Sequence, residues 1–512
     1  MKYHRIKTAA AAAAVTMVFL LSAVFTDCSL TSFISRSSHL TDIVCKMFPP
    51  DTGFAKRIIS PLIDTISMSV TGTFSGALLA LLAAPLCAGN MKNTAGIRWA
   101  LRLIIQILRS FPALILALLT TFLFGLGTFS GSLAIGIFTF AVMTRLTYED
   151  IEAITLKPYE ALASMGAGRG RAYIRAVIPE IAPSFLSNAL YLLETNVRHS
   201  SILGYVGAGG IGLLLNEKIS WTEYDKVGMI LIMLFLAVCI IETVSSVLGK
   251  IVRGEMRAGK TTKQAIMIIA AAVFVFCTIG IAPPDMSRTS LKAVRAMLMG
   301  FVQPDMEFFL RSDSGGLAYL ILETVCISVV GTVLGAFAAL PLSILGSEKL
   351  VPGPAAVISR ILIMMIRSVP FFVYGLIFIR VSGPGAFTGV LTLAVCSIGL
   401  LSKRFIQALE ALDMRPFKAL ASMGTPISSC IRYAVMPQLK PALLSSVLYR
   451  FDVNIREASV LGLVGAGGIG APLVFAMNHY SWNTAGAICL GLVILVWIID
   501  VASAYLRKRI AR

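Results

Sequence analysis

The chain has 512 residues, of which 57% are hydrophobic and 14% charged, with a mean hydropathy of +0.84. Soluble domains run near half apolar and a quarter charged, so this balance excludes a string of soluble domains, and disorder with it. The net charge of +18 would suggest nucleic acid as partner on a soluble protein, but on a chain this apolar it reads as membrane topology.

Lys2, Arg5 and Lys7 precede an apolar run from Thr8 to about Phe25, about as long as a bilayer-spanning helix. No small-residue cleavage site follows, and Phe25-Thr26-Asp27 ahead of Cys28 is a poor lipoprotein box. A retained first helix is expected, not a signal peptide. Further apolar runs lie near 60–88, 101–126, 130–147, 181–203 and 227–249, then near 265–282, 317–345, 358–380, 385–401, 439–461 and 485–506. The expectation is an all-α polytopic membrane protein of about twelve spans, with Pro61, Pro112 and Pro370 bending helices without ending them.

Basic residues set the orientation. A cytoplasmic N-terminus puts Lys92, Arg98, Arg145, Lys157, Arg169, Arg171 and Arg175 inside, with the connector Lys250, Arg253, Arg257, Lys260 and Lys263. It also puts Lys403, Arg404, Arg415, Lys418, Arg432, Arg507, Lys508, Arg509 and Arg512 inside. The outer segments, 27–57, 204–226 and 283–316, mix both signs. Both termini are therefore expected in the cytoplasm. Nine scattered cysteines form neither a disulfide framework nor a CxxC metal site, and only Cys28 and Cys45 lie in a polar segment.

An internal duplication organises the chain. Leu162-Ala163-Ser164-Met165-Gly166 recurs as Leu420-Ala421-Ser422-Met423-Gly424, an offset of 258 residues between Gly166 and Gly424. The same offset carries Arg109-Ser110-Phe111-Pro112 onto Arg367-Ser368-Val369-Pro370, and Asn196 and Arg198 onto Asn454 and Arg456. Val206 to Gly212 returns letter for letter as Val464 to Gly470. Six spans in each half give two parallel six-helix repeats, related by an axis along the membrane normal. The expected division is a first transmembrane domain at 1–252, a cytoplasmic linker at 253–264 and a second domain at 265–512.

Two literal motif matches fail on context. Gly254 to Thr261 fits GxxxxGK[ST], but it lies in a short connector between spans with no room for a nucleotide-binding domain. Gly207-x-Gly209-x-x-Gly212 and Gly465-x-Gly467-x-x-Gly470 fit the dinucleotide fingerprint without a βαβ unit around them. His4, His39, His199 and His479 form no spaced pair, and neither HExxH nor GxSxG occurs, so no enzyme is expected.

A paired cytoplasmic loop remains. The first reads Glu160-Ala161-Leu162-x-x-x-Gly166 with Ile178-Pro179 beyond, and the second Lys418-Ala419-Leu420-x-x-x-Gly424 with Met436-Pro437. Small residues allow close approach of another backbone, Gly permits a turn between two short helices, and Pro marks the return to the bilayer. This spacing resembles the EAA loop of binding-protein-dependent ABC importer permeases. Glu194-Thr195-Asn196-Val197-Arg198 and Asp452-Val453-Asn454-Ile455-Arg456, each followed by LG-x-VGAGGIG, look like the phosphonate transport branch. The resemblance covers roughly 60–249 and 317–506, as two such permeases fused in tandem.

The resemblance implies a type I ABC importer-like fold in a bacterial plasma membrane. It implies an extracytoplasmic solute-binding protein that delivers a phosphonate, and two separate ATPases docking on Glu160, Ala161, Gly166 and Pro179 and on Lys418, Ala419, Gly424 and Pro437. ATP and magnesium would sit on those ATPases, with no cofactor on this chain, one chain per transporter, lipid around it and no nucleic acid. Lys418 in place of the motif's Glu, and Leu162 and Leu420 at its third position, depart from the pattern and imply unequal loops. Phosphate, phosphite or another small oxyanion is the alternative cargo. A twelve-span secondary transporter is the alternative class, and it would have no reason to repeat the loop.

Two further groups are candidates. Glu194 and Arg198, like Asp452 and Arg456, are four apart on a spanning helix and can meet on one face. With Asn196 and Asn454 they either fasten the helix or line the path, where an arginine offers a forked donor to an oxyanion. Gly207, Gly209 and Gly210, with Gly465, Gly467 and Gly468, are gating-loop candidates at the outer side.

Overall fold

The computed structural model describes residues 13, 16–28, 30–91, 94–256, 259–284, 291–311, 313, 315–351 and 353–510. Lys2, His4, Arg5, Lys7, Lys92, Arg257 and Arg512 lie outside the described residues. Among the described residues the chain is helical and contains no strand. Two helices open it: α1 (Thr16–Phe25) and α2 (Leu30–Lys46).

Eight helices follow up to the first Gly-rich loop and the turn beyond it. They are α3 (Ala55–Cys87), α4 (Ala95–Ser110), α5 (Ala113–Phe124), α6 (Thr128–Ala153), α7 (Lys157–Ser164), α8 (Arg169–Ala172), α9 (Ile178–Leu203) and α10 (Ile211–Ser220). Next come α11 (Tyr224–Val252), α12 (Lys260–Ile279), α13 (Leu291–Val302) and α14 (Met306–Leu310). The second repeat then runs α15 (Leu317–Gly346), α16 (Pro354–Ser368), α17 (Phe371–Ser382), α18 (Ala386–Glu410), α19 (Arg415–Ser422) and α20 (Ile427–Cys430). It ends with α21 (Met436–Leu461), α22 (Gly470–Asn478) and α23 (Trp482–Ile510).

Among the described residues seven helices are long and apolar enough to cross a membrane, and two bent pairs raise the number to nine. The helices at Thr16–Phe25 and Gln264–Ile279 are apolar but shorter. α21 is the repeat counterpart of α9 but carries Lys440, Arg450, Asp452, Arg456 and Glu457, so composition alone does not mark it as a span. Each expected apolar run thus falls mainly on helix where it is described, with breaks inside 101–126 and 358–380.

Pro112 and Pro370 correct one expectation: they end helices. α4 and α5 meet at 95° and α16 and α17 at 84°. The residue before a proline is driven out of the helical region, and Phe111 (φ −82°, ψ 127°) and Val369 (φ −75°, ψ 123°) are both extended. Pro370 lacks the N–H that would satisfy Ile366 O, and the Tyr374 hydroxyl donates to that carbonyl at 3.0 Å. Pro61, by contrast, lies inside an unbroken α3, with its own carbonyl accepting from Thr65 Oγ1 at 2.8 Å.

The chain forms two compact units, 44–294 and 1–43 with 295–512. In the first, α3 lies on α6 at small-residue distance: a Cβ on Gly76 would stand 2.5 Å from Gly136 O. α12 lies along α3 in this unit, with the Phe74 and Phe274 rings stacked at 5.1 Å and the Thr71 and Thr278 hydroxyls at 3.5 Å. In the second unit α15 lies on α18 in the same way, a Cβ on Gly335 falling 2.4 Å from Ser397 Cβ. Here α1 stands on α15, with Phe25 and Tyr319 ring centroids 5.2 Å apart. Packing and duplication boundaries therefore differ, because the leading helix of each repeat stacks its aromatic face on the long helix of the other repeat.

The duplication also reaches further toward the N-terminus than the apolar pattern suggests. Asp51 Oδ1 accepts from Gly53 N and Phe54 N, and Asp305 Oδ1 from Glu307 N and Phe308 N. Each aspartate also donates its backbone N–H across its own unit, Asp51 to Asp225 O and Asp305 to Asn483 O.

Candidate functional site

Each candidate coupling loop is a helix–turn–helix on the surface of its unit. α7 and α19 are eight-residue helices with no buried residue. Each starts with a proline at its second position, where the missing N–H costs nothing. Gly166 (φ +87°) and Gly424 (φ +72°) end them in the left-handed region. Ala167 N then donates to Leu162 O at 3.1 Å, and Thr425 N to Leu420 O at 3.3 Å, closing the helix ends. A Cβ at either glycine would meet nothing within 4 Å. Glu160, Ala161, Lys418 and Ala419 are exposed beside them, as are Met165 and Met423, at 81% and 78%.

The return to the long helix is a π-turn in both halves, Tyr173–Val177 and Ile431–Val435. Ile178 N reaches Tyr173 O, and Met436 N reaches Ile431 O. Pro179 and Pro437 follow at the second position of α9 and α21. Neither can supply the α-type N–H to the residue four before it, which favours the wider turn. In the first half the loop is seated on Ala84, Ala88, Met91, Ile151, Val177 and Ile181, with Tyr159 and Tyr173 packed against them. Asp413, at the start of the second loop, has its carboxyl held below the usual range by the Arg415 backbone N–H and then by its guanidinium.

The membrane charges pair as their spacing predicts. Arg198 Nη2 donates to Glu194 Oε1 at 2.8 Å, and Arg456 Nη2 donates to Asp452 Oδ2. Asp500 on α23 stands 3.7 Å from the same Arg456 nitrogen, so this guanidinium lies between carboxylates of two helices. Asn196 and Asn454 are buried where three helices meet. Asn196 Nδ2 donates to Thr73 and Thr139 hydroxyls at 2.8 Å each, and Asn454 Nδ2 to Thr332 and Ser397 at 2.6 and 3.0 Å.

Both Gly-rich loops are fastened to their own unit. Gly207, Gly209 and Gly210 have φ of +84°, +79° and +75°, and Gly465, Gly467 and Gly468 have +80°, +78° and +78°. Gly127 N donates to Gly207 O at 3.0 Å and Gly385 N to Gly465 O at 2.9 Å. Ile211 N donates to Thr65 Oγ1 at 2.8 Å, and Ile469 N to Thr324 Oγ1 at 3.1 Å. In the second half Gly468 N also donates to Glu323 Oε2, at 3.0 Å.

Several groups escape a reading by motif. Arg450 is buried on α21, with Nη1 and Nη2 donating to Glu457 at 3.3 and 2.7 Å and Nε donating to Ser397 at 3.1 Å. Leu192 and His199 stand at the equivalent positions of the first half. Arg102 with Glu152 and Arg360 with Glu410 form ion pairs at the loop ends of their units. These four residues obey the 258-residue offset, a signal the sequence carried.

Residues 76–283 and 331–512 match the family described as the binding-protein-dependent transport system inner membrane component. The chain is 30% identical over 499 residues to the phosphate-import permease protein PhnE of Mycolicibacterium smegmatis, covering 96% of this chain and 93% of that one. It is 32% identical over 189 residues to the phosphite transport system permease protein PtxC of Stutzerimonas stutzeri, covering 37% and 69%. It is also 37% identical over 119 residues to the putative cryptic phosphonate transport system permease protein PhnE2 of Escherichia coli, covering 23% and 98%.

Proposed function

The chain belongs to the family of binding-protein-dependent transport inner-membrane components, and from that premise we propose a tandem permease that imports a phosphorus oxyanion. It is a permease subunit of an ABC importer, an inner-membrane protein working with ATPase and solute-binding partners. The observation that carries the tandem reading is the recurrence of one exposed loop geometry, with left-handed Gly166 and Gly424, twice in one chain. Each loop offers a seat for one ATPase, so one chain would take two. ATP and magnesium would be bound there, with both termini of this chain on the same cytoplasmic side.

The preferred cargo is a phosphonate, supported by the similarity to PhnE2 and by the paired N-[VI]-R and VGAGGIG segments. A second reading, inorganic phosphate, is favoured by full-length similarity to a permease named for phosphate import. Uptake into proteoliposomes containing the transporter and its binding protein separates the two. Labelled methylphosphonate should enter, and excess phosphate should compete poorly. Entry of phosphate alone would establish the second reading.

The position of Arg456 between Asp452 and Asp500 supports a fastening role for the arginine pair. Path lining would require the oxyanion to displace carboxylates that already hold the guanidinium. Arg198→Lys with Arg456→Lys keeps both charges but loses the fork. Uptake should persist while the apparent Tm falls. Lost uptake in a normally assembled transporter would instead put Arg198 and Arg456 in the path. The clamped Gly-rich loops support a rigid outer anchor against which a gate closes.

A further inference from the structure

The ends of the long helices next to the coupling loops carry a contact set that neither transport nor docking explains. Arg102 Nε donates to Cys87 O, the last carbonyl of α3, at 2.8 Å, and Nη2 of the same guanidinium donates to Glu152 Oε1. That carboxylate oxygen also accepts from Gly89 N at 2.6 Å, while Asn90 Nδ2 donates to Ile151 O at 2.7 Å. The guanidinium stands 4.5 Å from the centre of the Tyr148 ring. In the second half Arg360 Nε donates to Gly346 O, the last carbonyl of α15, at 2.9 Å, and Nη2 donates to Glu410, the last residue of α18. Nη1 of Arg360 pairs with Glu348 at 2.7 Å, and Lys349 Nζ donates to Leu412 O at 2.8 Å.

One guanidinium thus ties three elements in each unit. It caps a helix end whose carbonyls lack intrahelical donors, and it grips the helix that leads into the coupling loop. The arginine itself stands on the helix that breaks at Phe111-Pro112 or Val369-Pro370. These ion pairs contribute little stability, because their side chains are between 35% and 38% exposed. The immediate neighbours differ between the halves, Gly89 against Glu348 and Asn90 against Lys349, yet the three-way arrangement is the same. What the duplication kept is the geometry.

We infer that Arg102 and Arg360 are positioning residues that latch each coupling loop to a broken helix, so that loop displacement is carried through α4 and α16 to the bends at Pro112 and Pro370. Only Ile154 to Leu156 separate α6 from α7, so little slack lies between latch and loop. The inference rests on the coupling-loop reading above.

The test uses the complete transporter with its ATPases and binding protein in proteoliposomes. The anion is methylphosphonate or inorganic phosphate, whichever drives uptake by the unaltered protein. Arg102→Gln/Arg360→Gln and Glu152→Gln/Glu410→Gln should each retain ATPase capture and basal hydrolysis. Anion moved per ATP should fall by about fivefold or more. The variant combining all four changes should be no worse than either pair, since each pair already removes the same two latches. An unchanged ratio, losses that add, or lost ATPase capture would each overturn the proposal. Should the Gln pair fail to insert, Arg102→Lys/Arg360→Lys, which keeps the charge without the fork, is measured in the same way, and an unchanged ratio overturns it equally. Gly424→Asp serves as the control. If that variant keeps full ATPase capture, the loop assignment has failed, not the latch.

Discussion

Gly424→Asp is expected to abolish ATP-driven uptake while the permease still inserts and folds. The reason lies in what surrounds the glycine. Its φ of +72° is a conformation that Asp visits at a cost of about 1–2 kcal/mol, and a Cβ there meets nothing within 4 Å in the chain itself. The new carboxylate therefore projects outward, where an ATPase docked on this loop would approach. Truncating or blocking an interface anchor typically costs about 2 kcal/mol or more, about 30-fold in Kd. Gly166→Asp should do the same at the first loop, but not to the same degree. Glu160 flanks one loop and Lys418 the other, so a new negative charge meets a like charge in one case and an opposite charge in the other. Capture of the purified ATPase by each variant, beside its fluorescence-detected gel-filtration profile, measures docking and folding separately. Unchanged capture with unchanged transport-coupled hydrolysis would show that the loops are not docking sites.

Arg450→Leu alone should be severely destabilising, and adding Glu457→His should recover most of the loss. Arg450 is 2% exposed and spends three donors on Glu457 and Ser397, so removing it strands a largely buried carboxylate inside the helix bundle. Breaking such a pair from one side costs about 3–5 kcal/mol, whereas replacing both partners is often nearly neutral. The first half provides the natural control, since it builds the same helix with Leu192 and His199. Apparent Tm values of the detergent-purified variants would decide it. A double variant as unstable as Arg450→Leu would mean that the second half needs the ion pair for a reason other than paired burial.

How far the sequence reached depended on whether a feature repeats. The two exposed helix–turn–helix loops were legible because their spacing occurs twice and a glycine with positive φ stands at each turn. The four-residue spacing of Glu194 with Arg198 and of Asp452 with Arg456 likewise led directly to contact. Pro112 and Pro370 read as bends within a span in the sequence, since apolarity continues across each break and hydropathy registers no change of direction. What separates them from Pro61 is the extended residue in front, which the sequence does not announce. The placement of α1 on α15 and of α12 on α3 was invisible for another reason: an apolar face specifies that it is covered, not by which neighbour. Arg450 and Glu457 escaped because they lie seven apart and have no counterpart in the first half.

A single copy of this chain is expected to supply both permease halves of the importer. The paired loops, the shared long-helix architecture of both units and the match of the family to residues 76–283 and 331–512 all rest on one polypeptide. Native mass spectrometry of the detergent-extracted transporter decides it. Particles with one 54.8 kDa permease chain and two ATPase subunits are expected. Particles with two permease chains would contradict it.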